Sequence, residues 1–243
     1  MPLFDTTSSL DGTAYGYSGT RFGDLGASEY TLVAITADQS GSVSAFDREI
    51  ETCLKSIVSA CRTSPRADHL MLRLSTFDSR VHEVHGYRPL SACPVDDYDG
   101  CIRPSGLTAL YDAAHNAVSS LVDYGTKLTE RGLSVNGIVF VVTDGGDNRS
   151  SLTPSRLAAA VRDATTAESL EGVLTILVGV NVSDPQLGRS LMKLSTEAGF
   201  DHYLELQSAD ASTLARLASF ASRSIALTST ALGSGSAVRS LSF

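Results

Sequence analysis

The chain has no tryptophan, only four cysteines and no long unbroken apolar run. Each shortage excludes something. Without a stretch of about 18 apolar residues, no membrane-spanning helix is expected. The 19 Lys and Arg are outnumbered by 27 Asp and Glu, giving a formal charge of −8. No basic surplus is left to meet phosphates, so neither nucleic acid nor an anionic membrane is an expected partner. The opening "MPLFDTTSSLDGTAYGYSGTRFGDLGASE" lacks a basic start followed by an apolar block, so it does not read as a secretory signal. The expected location is the cytoplasm. The cysteines fit that reducing compartment. Cys53 and Cys61 fall eight apart in one helical stretch, which puts their Cα atoms roughly 12 Å apart, beyond the ~7 Å that a disulfide spans. Cys93 and Cys101 bracket a loop and could meet. No CxxC pair suggests zinc.

What the chain does have is room for a core. Its 243 residues, 42% of them hydrophobic, suffice for one large α/β domain. Residues 1–28 and 229–243 are Gly- and Ser-rich arms, the first with scattered aromatics. Between them, over 29–228, strand and helix patterns alternate. "YTLVAITA", "GIVFVVTD" and "GVLTILVGV" are almost wholly apolar, as strands covered on both faces are. "HLMLRLSTF" alternates like a half-buried strand, "RVHEVHGY" pairs behind it as a hairpin, and "HYLEL" is a short last strand. Helices are expected over 46–62, 108–124, 153–168, 184–199 and 210–227, with Pro154 at a first helical position and Gly199 at a close. This order predicts a doubly wound α/β fold: a mostly parallel six-stranded sheet, one antiparallel edge strand, and helices on both faces.

In such sheets ligands sit beyond the carboxyl ends of the strands, where strand order reverses. "ITADQSGSV" ends an apolar strand at Asp38 and continues with Ser40 and Ser42. Asp144 ends the strand "GIVFVVTD", and Thr108 lies in "PSGLTALYDA" just before a helix. All five side chains offer oxygen, the set that a hard divalent cation such as Mg2+ prefers. Each also has a plain reading. Ser42 or Ser44 could cap the first helix, Thr108 the next, and Asp144 could be a turn residue before two glycines. The histidines of "HEVH", His82 and His85, alternate across a strand, cannot chelate together, and read as surface and edge residues.

Together "DQSGS", "GLTALYDA" and "TDGGDN" resemble the von Willebrand factor type A family, over about residues 30–228. The resemblance implies that Ser40, Ser42 and Thr108 bind Mg2+ through hydroxyls, with Mn2+ or Ca2+ as substitutes. Asp38 and Asp144 would bind it directly or through water. One position is left for a carboxylate from a partner protein that presents an Asp or Glu. Gly106 and Asp147 stand just outside this set. The loop reads "SGLT" where the family is often richer in glycine, and Val43 stands where a Met often follows the serines. The function implied is a metal-dependent protein-binding adaptor without catalysis of its own. One alternative is a subunit that self-assembles through its arms. Another is a metal-dependent phosphohydrolase, against which Ser40 stands where a second Asp is usual.

Overall fold

The computed structural model describes residues 4–180, 184–208 and 210–231. In chain order the elements are β1 (Phe4–Ser9), β2 (Gly16–Thr20), β3 (Glu29–Asp38), α1 (Asp47–Arg62), β4 (Leu70–Phe77), β5 (Val81–Pro89), α2 (Leu110–Thr129), β6 (Ser134–Thr143), α3 (Pro154–Thr166), β7 (Gly172–Val180), α4 (Pro185–Ala198), β8 (His202–Leu206) and α5 (Ala211–Ala231). One sheet holds all eight strands in the order β1-β2-β5-β4-β3-β6-β7-β8. The pairs joining β4, β3, β6, β7 and β8 are parallel, and β5 is antiparallel to β4. The six expected strands are therefore all present. Two more, from residues 4–20, widen the sheet beyond β5.

Side-chain alternation along the central strands sorts the core into two layers. Val33, Ile35, Phe140 and Ile176 face α1 and α5. Leu32, Ala34, Val139 and Leu177 face α2, α3 and α4. Strands covered on both faces need apolar residues at every position, which accounts for the β-branched runs in the sequence. No helix among the described residues is long and apolar enough to cross a membrane. The Gly- and Ser-rich residues 232–243 lie outside the described residues, while α5 runs through Ala231.

The first arm docks on its own chain. β1 and β2 form an antiparallel hairpin, and β2 meets β5 in parallel at Gly19 and Tyr87. Tyr87 stacks on Tyr124 of α2 with ring centroids 4.7 Å apart, and Tyr17 closes edge-on against both. The Tyr17 hydroxyl donates to Asp123 at 2.6 Å, and the Tyr124 hydroxyl to the Thr20 carbonyl at 3.0 Å. The approach requires a glycine in β5, since a Cβ on Gly86 would sit 2.1 Å from the Ser18 carbonyl oxygen.

This cover changes the character of β4. Its alternating pattern suggested a half-buried strand, yet all eight residues are buried. Arg73 is only 1% exposed. Its Nε donates to Glu83 at 2.9 Å and its Nη2 to Asn116 at 2.8 Å, while Nη1 finds no partner. Glu83 also accepts from the Ser18 backbone N–H at 3.0 Å, and Asn116 donates to the Gly16 carbonyl at 3.2 Å. The network thus ties the hairpin, β4, β5 and α2 together. His85 is a second correction: it is buried, not at the surface. Its Nδ1 faces the Gly86 carbonyl at 2.9 Å, so Nδ1 carries the proton and Nε2 accepts from the Tyr98 hydroxyl at 2.9 Å. His82 is exposed and pairs with Asp78. All four cysteines are free, Cys93 and Cys101 included.

Candidate metal centre

The parallel strand order reverses at β3. From it the chain leads to β4 on one side and returns later as β6 on the other. The pairing runs Ala37 opposite Val142, so Asp38 at the end of β3 lies beside Thr143 and Asp144 at the end of β6. Adjacent strand ends at a switch point open a crevice that no crossover covers. Two carboxylates therefore meet at this edge through sheet register alone.

Asp38 is fully buried. One carboxylate oxygen accepts the Ser40 backbone N–H at 2.8 Å, and the other accepts the Thr143 hydroxyl at 2.6 Å. Thr143 also accepts the Gly145 backbone N–H at 3.1 Å, so this threonine holds the turn into the two glycines. Ser40 and Ser42 bring their hydroxyls within 2.9 Å of each other. Asp144 is 7% exposed, and its Oδ1 is buried with no hydrogen-bond partner. Burial raises the pKa of Asp38 well above the usual carboxylate range; the Asp144 charge adds to the rise, and the Thr143 and Ser40 bonds oppose it. Burial likewise raises Asp144, against the pull of Ser42 and of Asp38. No ion pair joins either acid among the described residues.

Thr108 arrives on a separate loop, pinned from three sides. The Gly41 N–H donates to the Gly106 carbonyl at 3.1 Å, and the Ser105 N–H to the Gln39 carbonyl at 2.8 Å, which joins this loop to the one after β3. The Leu107 N–H donates to the Ser79 hydroxyl at 2.9 Å. Asn148 accepts the Thr108 N–H at 2.8 Å, and the Thr108 carbonyl accepts the Asn148 and Arg149 N–H groups. Gly106 sits at φ +65°, where a Cβ would come 2.6 Å from the Ser79 hydroxyl. Only glycine allows that turn without strain.

None of the plain roles is filled by these residues. Phe46 occupies the N-cap of α1 and Ala109 that of α2, neither with a side-chain cap. The turn after β6 uses Thr143 rather than Asp144. Asp147 points elsewhere: it accepts the Ser150 hydroxyl at 2.5 Å and the Tyr111 N–H at 3.3 Å, bracing the first turn of α2. Two contributors were missed in the sequence. Thr143 orients Asp38, and Asp78 organises the loops, accepting from Ser105 at 2.8 Å and from the Arg80 N–H at 3.0 Å. The available signal was the same for both, a polar residue where a strand ends on this edge.

Chemically, two buried carboxylates without a counter-charge need a shared proton or a cation. The donors are carboxylate and hydroxyl oxygens, the chemistry a hard divalent cation takes. No group of three or more His, Cys, Asp or Glu able to hold a metal occurs among the described residues, so the candidate set rests on two acids and on hydroxyls.

No family model and no curated protein matches the sequence. Solved structures do. The pilus adhesin SpaC from Lactobacillus rhamnosus GG, in an open conformation, superposes with a TM-score of 0.59 at 13% identity, over 86% of this chain and 31% of its own. The PilB minor pilin from Streptococcus sanguinis gives 0.57 at 13% identity, over 83% of this chain and 62% of its own. Proximal thread matrix protein 1 from the mussel byssus gives 0.53 at 18%, over 80% and 45%. The fold is von Willebrand factor type A-like. This chain spans less than two thirds of each of those three proteins. The VWA-like sheet places Asp38 and Asp144 on neighbouring strand ends, with the serines and the Thr108 loop around them.

Proposed function

We propose that this chain is a Mg2+-dependent protein-interaction module, a cytoplasmic adaptor without catalytic activity. Asp38, Ser40, Ser42, Thr108 and Asp144 would hold the cation, with Mn2+ or Ca2+ as substitutes. When bound, the cation supplies a positive centre that accepts an Asp or Glu carboxylate from a partner protein. The observation that carries this reading is the uncompensated pair, two buried acids with one oxygen left without a partner. Two carboxylates balance a divalent charge, and neutral hydroxyls add none, so the cation keeps its attraction for an outside carboxylate. Asp38, Thr143, Ser40 and Ser42 already form one hydrogen-bonded group, so a cation would meet a largely preformed set. The resemblance to adhesin and pilin structures supports a protein-binding role at the level of fold.

The test is calorimetric titration of Mg2+ and Mn2+ into the intact chain and into Asp38→Ala. One-site binding that the variant loses is the expected result. Equal heats in both, or none in the intact chain, would remove the metal from the mechanism.

A further inference from the structure

The same edge carries a feature that holding a cation does not require. Leu107 is 50% exposed, yet its backbone is fixed by Ser79 and by the Gly106 turn. A rigidly presented apolar side chain in water is ready for a contact at little ordering cost. Three arginines stand on its own loop and on the loops bonded to it. Arg80 directly follows Ser79, which holds Leu107. Arg149 donates its backbone N–H to the Thr108 carbonyl at 3.1 Å. Arg103 lies four residues before Leu107 in the same loop. All three side chains are exposed, and none forms an ion pair among the described residues.

Such a cluster runs against the composition of a chain with 27 acids and 19 bases. Apart from the buried pair, two acids on these loops are already engaged: Asp78 by His82, Ser105 and the Arg80 backbone, and Asp147 by Ser150 and Tyr111. Arg48, further round the edge, is flanked in sequence by Asp47 and Glu49 and is left out of the cluster. The loops beside the carboxylate pair thus carry three exposed arginines, without an ion pair among the described residues, and one apolar knob.

We propose that the partner docks through an acidic segment with an apolar residue beside the carboxylate that reaches the cation. Leu107 takes the apolar residue, and Arg80, Arg103 and Arg149 take the flanking Asp or Glu side chains. This rests on the metal reading above and adds to it the chemistry of the whole docking segment. Arginine suits the task because its planar fork bonds carboxylates two at a time. Exposed charge pairs chiefly set encounter rate and partner choice, so binding should weaken with salt.

The test is selection of a random peptide display library on the intact chain in Mg2+, with EDTA elution, followed by fluorescence anisotropy on the best synthetic peptide. Enriched peptides should carry at least two acids with an aliphatic or aromatic residue next to one of them. Replacing Arg80, Arg103 and Arg149 together with Glu should weaken binding by about tenfold or more, while calorimetric Mg2+ affinity holds within about threefold. Leu107→Ser should weaken it a few-fold. Enrichment without acids, no EDTA-eluted peptides, or unchanged affinity in the triple variant would overturn the proposal. Failure of the metal reading shows separately, as absent Mg2+ heats in the intact chain. The same selection without metal, eluted with salt, then reads the arginines alone, and a lack of acidic enrichment there overturns them too.

Discussion

The chain buries charge in two places and treats it in opposite ways. Arg73 is shut inside the sheet with Glu83 and Asn116 against it, and those partners also grip the hairpin. Asp38 and Asp144 are shut in beside each other with hydroxyls for company and no ion pair among the described residues. Buried charge with its counter-charge holds elements together, whereas buried charge without one raises the energy of the folded state until something arrives to balance it. Position agrees with this division. The Arg73 network lies under the added hairpin, away from the edge where the strands end, and the acids lie at the switch point.

The largest effect should come from breaking the compensated site. Glu83→Ala leaves Arg73 unpaired in the interior and should cost about 3 kcal/mol in urea unfolding, the low end for such a pair because Glu83 is itself a quarter exposed. A loss under about 1 kcal/mol would mean that water reaches Arg73 and the contrast fails. At the other site the sign reverses with pH. Both acids have raised pKa values in the folded chain, so the folded state holds more protons than the unfolded one once pH exceeds the ordinary carboxylate range near ~4. Their contribution is therefore lost as pH rises through the folded values. Without metal, melting temperature relative to an Asp38→Asn, Asp144→Asn double variant should fall from about pH 5 to about pH 8, and Mg2+ should reduce the fall. A flat difference in EDTA would contradict the uncompensated pair.

Smaller effects sharpen the comparison. Gly106→Ala forces a Cβ against Ser79 at φ +65° and should cost about 1–2 kcal/mol. It should weaken Mg2+ binding more than Asp147→Asn does, since Asp147 braces α2 instead; equal losses would put Asp147 in the site. Asp38→Asn should change metal-free stability least, by under about 1 kcal/mol, because losing an unbalanced charge offsets a weakened hydrogen bond. It should nevertheless abolish the Mg2+-induced rise in melting temperature. A large metal-free loss would show that Asp38 is a structural acid after all.

The sequence made the central strands readable because their burial is written locally, in unbroken apolar runs. The strand ends at Asp38 and Asp144 were readable for the same reason, as the points where those runs stop. Arg73 was not, because an alternating strand with a charge looks wet on one face, and its cover comes from residues 4–20 and from α2. His85 misled in the same way, its partner Tyr98 lying in a loop thirteen residues on. The hairpin itself is a Gly-, Ser- and Thr-rich segment whose hold depends on Tyr87, Tyr124 and Glu83, far along the chain. Thr143 and Asp78 gained their roles from neighbours across strands and loops, which spacing along one chain does not encode.

The hairpin also sets an order of events during synthesis. β1 and β2 are made before their binding surface, which consists of β5 and α2 and is complete only at Thr129. At ordinary translation speeds roughly ten seconds separate the two. For that interval Tyr17 waits without Tyr87, Tyr124 and Asp123, so residues 4–20 complete this side of the sheet only once α2 has been made.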